Sequence, residues 1–129
     1  MPHLLVEYSK NIADRLNLQA LSDELRDATM ATGTYPLGGV RVRFHECNTY
    51  TIADGNDSYA FIHIQLRMGE GRSHEEKDAA STLIFERTKA FVKDAFDIGP
   101  SALSLEIVEI DARYSHKYNQ INDHLKAST

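Results

Sequence analysis

The sequence predicts an α+β domain in which two helices cover one face of a four-stranded sheet. Three observations carry this. Segments with the two-residue period of strands alternate with segments of helical period in the order strand, helix, strand, twice over. Gly-rich turns stand in both halves, which reads as a duplicated β-α-β unit with helices of similar length, although identity between the halves is too low to establish a repeat. Apolar residues that the helices would leave uncovered, Phe61, Val108 and Ile110 among them, fall on the opposite face, so an oligomer that buries that face is expected. The 129 residues are read as one domain, with halves at about 1–58 and 59–112 and a C-terminal tail.

Taken in order, the first strand is Pro2 to Tyr8: Pro2, Leu4, Val6 and Tyr8 form an apolar face against the mixed face His3, Leu5 and Glu7. Asn17 is placed to cap a helix whose Leu18, Leu21, Leu25 and Ala28 recur at helical spacing and which ends near Gly33. Val40, Val42 and Phe44 then alternate with Arg41, Arg43 and His45, a second strand with three basic-type side chains on one face. A loop over Asn48 to Ser58 follows from Ala53-Asp54-Gly55-Asn56-Asp57. Tyr59 to Met68 is the third strand. Ser73 and Glu76 have capping-box spacing for a second helix, with Ala80, Leu83, Ile84, Arg87, Phe91 and Ala95 on one stripe, stopping before Gly99-Pro100. Ala102 to Ile110 reads as a last strand, apolar on both faces. The tail from Arg113 to Thr129 is read as a short helix or as a segment that packs on a neighbouring chain.

Composition removes several function classes. Hydrophobic residues at 42% and charged residues at 26% are ordinary for a globular protein and too apolar for a disordered one. No positively charged, apolar leader opens the sequence and no run of ~18 apolar residues occurs, so neither a signal peptide nor a membrane span is expected and the cytoplasm is the expected compartment. The net charge of −5 and the lack of a basic, aromatic-interleaved run oppose nucleic-acid binding. Cys47 stands alone and reads as a reduced strand thiol. The six histidines include no pair at zinc-helix spacing, and no metal site is expected. Gly69-Glu70-Gly71-Arg72-Ser73 lacks both the third glycine of a dinucleotide fingerprint and the Gly-Lys-Ser/Thr of a phosphate loop, and Ser73 is better explained as a cap than as a nucleophile.

What remains is a base and a set of arginines. If Met1 is removed, Pro2 becomes a secondary amine on a rigid ring, and a terminal amine titrates at about 7.7–8.0 when unperturbed. Burial beside cations lowers that value toward the range general acid–base chemistry uses. While Met1 is in place, the same nitrogen is an amide and carries no basicity. An acidic chain that binds an anion needs clustered arginines, and guanidinium forks pair with carboxylates in two-pronged fashion. Arg41, Arg43 and Arg72 are the candidates, Arg72 just before a helix N-terminus whose amides favour an anion. Any one of them taken alone also fits a solvated edge charge or an inter-subunit salt bridge.

Pro2-His3-Leu4-Leu5-Val6-Glu7-Tyr8-Ser9, Ala31-Thr32-Gly33-Thr34-Tyr35-Pro36-Leu37-Gly38-Gly39-Val40-Arg41, Ala53-Asp54-Gly55 with Tyr59-Ala60-Phe61, and Gly69-Glu70-Gly71-Arg72-Ser73 resemble the 5-carboxymethyl-2-hydroxymuconate isomerase family of the tautomerase superfamily. The Gly-Arg-Ser turn also resembles 4-oxalocrotonate tautomerase. The resemblance spans nearly the whole chain and is weakest in the first helix and the tail. It implies a tautomerase-like, four-stranded mixed sheet, a homotrimer, and enol-keto isomerisation of a small anionic unsaturated acid in homoprotocatechuate breakdown without a cofactor. By the same resemblance Pro2 is the base and Arg41 and Arg72 bind and polarise the substrate, with Arg43 a further substrate-binding candidate. Two alternatives stay open. One is a non-catalytic oligomeric module that binds an anionic metabolite with the same arginines. The other is a different tautomerase or a dehalogenase on the same fold.

Overall fold

A computed structural model describes residues 1–127; Ser128 and Thr129, the end of the tail, lie outside the described residues. Strand β1 is His3–Ser9, followed by a 3-10 turn at Lys10–Asp14 and helix α1 at Leu18–Ala31. A 3-10 turn at Leu37–Gly39 leads into β2, Arg41–Cys47. After the loop come β3 at Ala60–Gly69, α2 at His74–Ile98 and β4 at Ser101–Ile110. A 3-10 turn at Ala112–Tyr114 and helix α3 at Gln120–Ala127 complete the described chain.

The sheet order is β2-β1-β3-β4, with β1 parallel to β2, β3 parallel to β4, and β1 antiparallel to β3. Each β-α-β half therefore supplies one parallel pair, and the halves join through the two inner strands. Side-chain alternation decides the faces. Leu4, Val6, Ile62, Ile64, Leu66 and Met68 are fully buried under the helices together with Ile12, Leu21, Leu25 and Ile84. On β4, Leu103, Leu105 and Ile107 pair with Ile62, Ile64 and Leu66 and join the same core.

The helix ends are local events. Asn17 Oδ1 accepts from the Ala20 amide at 3.0 Å, and Ser73 with Glu76 forms the reciprocal capping box. Two expectations about the helices are corrected. They are not of similar length, α1 having 14 residues and α2 having 25. The buried stripe of α2 is Ala80, Ile84, Thr88, Val92 and Ala95, so Arg87 and Phe91 are not core positions. Thr88 can enter the core because its hydroxyl donates to the Ile84 carbonyl at 2.6 Å and so is not left unpaired. Arg87 instead bridges to Glu24 of α1 at 2.7 Å.

The face of the sheet away from α1 and α2 also departs from expectation. Phe61 and the pair Val108 and Ile110 sit at opposite ends of the sheet by register. Between them run polar rows: Leu5, Arg43, Gln65 and Glu106, then Glu7, His45, His63 and Ser104. His63 Nδ1 is 2.6 Å from the Ser104 hydroxyl, and the Tyr50 ring meets Phe61 edge-on at 6.1 Å. The uncovered face is thus mixed, and β4 is apolar on both faces only at its C-terminal end, since Ser104 and Glu106 are exposed. The tail does form a helix, and it packs on its own chain. The Asn119 amide donates to the Gly38 carbonyl at 2.9 Å, which sets α3 against the Leu37–Gly39 turn.

Candidate active site

Three chain segments meet at one end of the sheet. His3 pairs with Arg41 at the start of β2 and with Arg67 near the end of β3, so Pro2, Arg41 and the turn after Gly69 are neighbours although far apart in sequence. Pro2 is buried on the core side of β1, and its carbonyl accepts the Arg41 amide at 3.0 Å. The turn before β2 fits closely against it. A side-chain carbon built on Gly39 would stand 3.3 Å from Met1 Cα and 3.4 Å from Pro2 Cδ, so only a residue without Cβ leaves the chain's start in easy contact there.

The arginines are fixed by backbone carbonyls. Arg41 Nη1 donates to Gly38 O at 2.9 Å and to Val40 O at 3.1 Å. Arg72 donates to Gly69 O at 3.3 Å and Thr34 O at 3.4 Å, and its guanidinium lies over the Tyr35 ring at 4.6 Å. Gly71, at φ 105°, adopts the left-handed conformation that turns the chain into the α2 cap just there. Tyr35 is itself buried, its hydroxyl donating to Met68 Sδ at 3.1 Å. Burial raises the Tyr35 pKa and the nearby Arg72 opposes that rise, so the ring remains a neutral platform.

Arg43 stands apart. It lies two residues along the open face, with Nη1 3.1 Å from His3 Nδ1. Guanidinium only donates, so Nδ1 accepts and the imidazole is neutral. The His3 pKa is correspondingly lowered, by burial first and then by Arg43, the terminal amine, Arg67 and Arg41.

With Met1 in place, the free amine is that of Met1 and the Pro2 nitrogen is an amide. The pKa of that amine is lowered, first by burial, then by the charge and hydrogen bond of Lys117, then by Arg72 and Arg41. Arg41, Arg72 and the chain's start are therefore brought together; Arg43 reaches the group only through His3. Among the described residues, no ion pair involves Arg41, Arg43, Arg72 or Lys117. In a protein of net charge −5, this end is a concentration of cations without carboxylate partners, which suits an anionic ligand. Lys117, Asn119 and Tyr35 had no assigned role in the sequence. Nothing in the order of residues places the tail beside residue 1, and Tyr35 stood only within a stretch that carries the family resemblance. Cys47 is no rival nucleophile, since burial and then Glu7 push its thiol pKa up. Among the described residues, no three His, Cys, Asp or Glu side chains gather as a metal site, and no helix is long and apolar enough to cross a membrane.

Comparison with known proteins agrees with this arrangement. The family described as 5-carboxymethyl-2-hydroxymuconate isomerase matches residues 2–125. A 5-carboxymethyl-2-hydroxymuconate Delta-isomerase from Escherichia coli is 36% identical over 122 residues, 95% of this chain and 97% of that one. A crystal structure of a 5-carboxymethyl-2-hydroxymuconate delta-isomerase superposes with a TM-score of 0.91 at 27% identity, covering 97% of this chain and 93% of the other. That of a 5-carboxymethyl-2-hydroxymuconate isomerase from Deinococcus radiodurans R1 gives a TM-score of 0.88 at 30% identity, over 96% and 93%. With a family match over nearly its whole length and a relative above 30% identity, the chain belongs to the 5-carboxymethyl-2-hydroxymuconate isomerase family.

Proposed function

We propose that this protein is a 5-carboxymethyl-2-hydroxymuconate isomerase, a single domain of two β-α-β halves that acts as a homotrimer and without a cofactor. The reaction moves one proton and three electron pairs. The 2-hydroxyl O–H bond breaks and its pair forms C2=O; the C2=C3 pair becomes C3=C4; the C4=C5 pair takes a proton at C5. The Pro2 nitrogen, freed by loss of Met1, accepts the first proton and returns one to C5. Arg41 and Arg72 hold the carboxylate and keto groups and stabilise the dienolate charge that develops between the two transfers. That contribution grows in a water-poor site. Arg43, which meets this group through His3, is the further candidate for substrate binding.

The observation that carries this reading is the convergence of Arg41 and Arg72, without carboxylate partners, on the chain's first amine. Family membership supports the substrate. The trimer is supported by the sheet face that α1 and α2 leave uncovered. Breakdown of homoprotocatechuate in the cytoplasm is the setting that goes with this substrate.

The test is a spectrophotometric isomerisation assay on preparations whose intact mass reports the state of Met1. Chains without Met1 are expected to turn over 5-carboxymethyl-2-hydroxymuconate. Chains that all retain Met1 are expected to be inactive, and Pro2→Ala without Met1, which keeps a more mobile primary amine, is expected to retain partial activity. Full activity with Met1 on every chain would remove Pro2 as the base.

A further inference from the structure

Met1 fills the space directly in front of the Pro2 nitrogen, so the groups that touch Met1 are the groups that border whatever takes its place. Two of them come from the tail. Asn119 Nδ2 is 3.7 Å from Met1 Sδ while donating to Gly38 O at 2.9 Å, the carbonyl that also accepts from Arg41. Lys117 stands two residues earlier, in the stretch before α3, and its charge is among those that lower the pKa of the Met1 amine. The tail is seated firmly. Asn119 Oδ1 accepts from the Ile121 and Asn122 amides at the start of α3, and a Cβ on Gly38 would stand 2.8 Å from Asn122 Oδ1 and 2.9 Å from Asn122 Cα. Gly38 thus permits an approach that a larger residue would block.

A substrate of the class proposed above carries three carboxylates: two on the muconate chain and one on the carboxymethyl arm of C5. Arg41 and Arg72 provide two cations. When Met1 leaves, the terminal amine passes to the Pro2 nitrogen, which works as a neutral base, and Lys117 remains a further cation of this end with no carboxylate partner among the described residues. The nitrogen that returns a proton to C5 must come within about 3 Å of that carbon. A cation next to that nitrogen is therefore next to the substituents of C5. The side chain of Lys117 is a flexible point charge, suited to a carboxylate on a rotatable arm, whereas the planar arginines suit the fixed ends of a conjugated chain.

We propose that Lys117, held in place by the Asn119 contact to Gly38, binds the carboxymethyl carboxylate of the substrate and sets the preference of this enzyme for the tricarboxylate over 2-hydroxymuconate. This rests on the isomerase reading for the substrate but not for the site.

The experiment compares processed wild type, Lys117→Gln and Lys117→Arg on 5-carboxymethyl-2-hydroxymuconate and on 2-hydroxymuconate, which lacks the arm. Lys117 is exposed, so its replacement leaves the core intact. Loss of one charged hydrogen bond corresponds to about a 10–100-fold drop in kcat/KM. At a pH on the high-pH plateau, where the Pro2 amine is neutral with or without the Lys117 charge, that drop is expected for Lys117→Gln on the tricarboxylate, carried by KM, with less than about a threefold change on 2-hydroxymuconate and recovery in Lys117→Arg. Equal losses on both substrates, or none on either, would overturn the assignment. Calorimetric binding of the unreactive propane-1,2,3-tricarboxylate and of glutarate separates the two readings. If wild type isomerises neither substrate, the isomerase reading fails, while selective weakening of the tricarboxylate in Lys117→Gln still supports Lys117 as the third anion-binding group. Equal binding of propane-1,2,3-tricarboxylate by wild type and Lys117→Gln would overturn that role too.

Discussion

The Arg72 guanidinium lies 4.6 Å above the centre of the buried Tyr35 ring, and so one side chain from the β3–α2 turn rests on another from the α1–β2 connection. The ring fixes the plane of the guanidinium without consuming its charge. Tyr35 Oη is turned into the core toward Met68, and Arg72 bonds only carbonyls, leaving its remaining N–H groups for a ligand.

Arg72→Ala is accordingly expected to impair turnover far more than stability. A cation–π contact of this kind is worth about 1 kcal/mol, which lowers Tm by about 3–5 °C in a domain of this size. Loss of a group that stabilises developing charge costs about 10²–10³ in kcat. Thermal unfolding and steady-state kinetics on the same preparation check both. A large Tm loss with a proportionate activity loss would mark Arg72 as structural.

The pH profile has a fixed sign. The Met1 amine is held below its ordinary value by burial, then Lys117, Arg72 and Arg41, and the same groups are expected to act on the Pro2 nitrogen after processing. Protonation removes the base, so kcat/KM is expected to be level at high pH and to fall as pH drops through a pKa below about 7.7–8.0. Salt screens the cations, so the inflection should move upward as ionic strength rises. The same depression makes the unfolded chain bind more protons between the two pKa values, so this group's contribution to stability rises with pH across that window. A profile with its inflection above the ordinary amine range would exclude this environment for the base.

Static light scattering is expected to return about three times the 14.5 kDa chain mass at micromolar concentration. The uncovered face presents Arg43, Glu7, His45, His63 and Glu106 as well as Leu5 and Phe61, so the contact it makes is expected to be polar as well as apolar. A stable monomer under the same conditions would remove the trimer from the proposal.

Short-range physics was legible in the sequence. Alternation along β1, β2 and β3, the Asn17 cap and the Ser73-Glu76 box depend on residues within a few positions of one another, and the structure places all of them as read. The Pro2, Arg41 and Arg72 set was marked out by charge type and by the family resemblance. Tertiary packing decided the rest. Which residues of α2 face the core depends on how a 25-residue helix lies across the sheet, and a run of residues carries that orientation only weakly when Thr88 can satisfy its own hydroxyl. Whether β4 and the open face are apolar depends on which strands align, since register alone sets Ser104 beside His63 and Glu106 beside Gln65. Most of all, the place of Lys117 and Asn119 beside Met1 comes from a chain closure spanning more than a hundred residues. No local periodicity encodes such a contact; it arises because Gly38 and Gly39 lack side chains and let both ends of the chain meet at one turn.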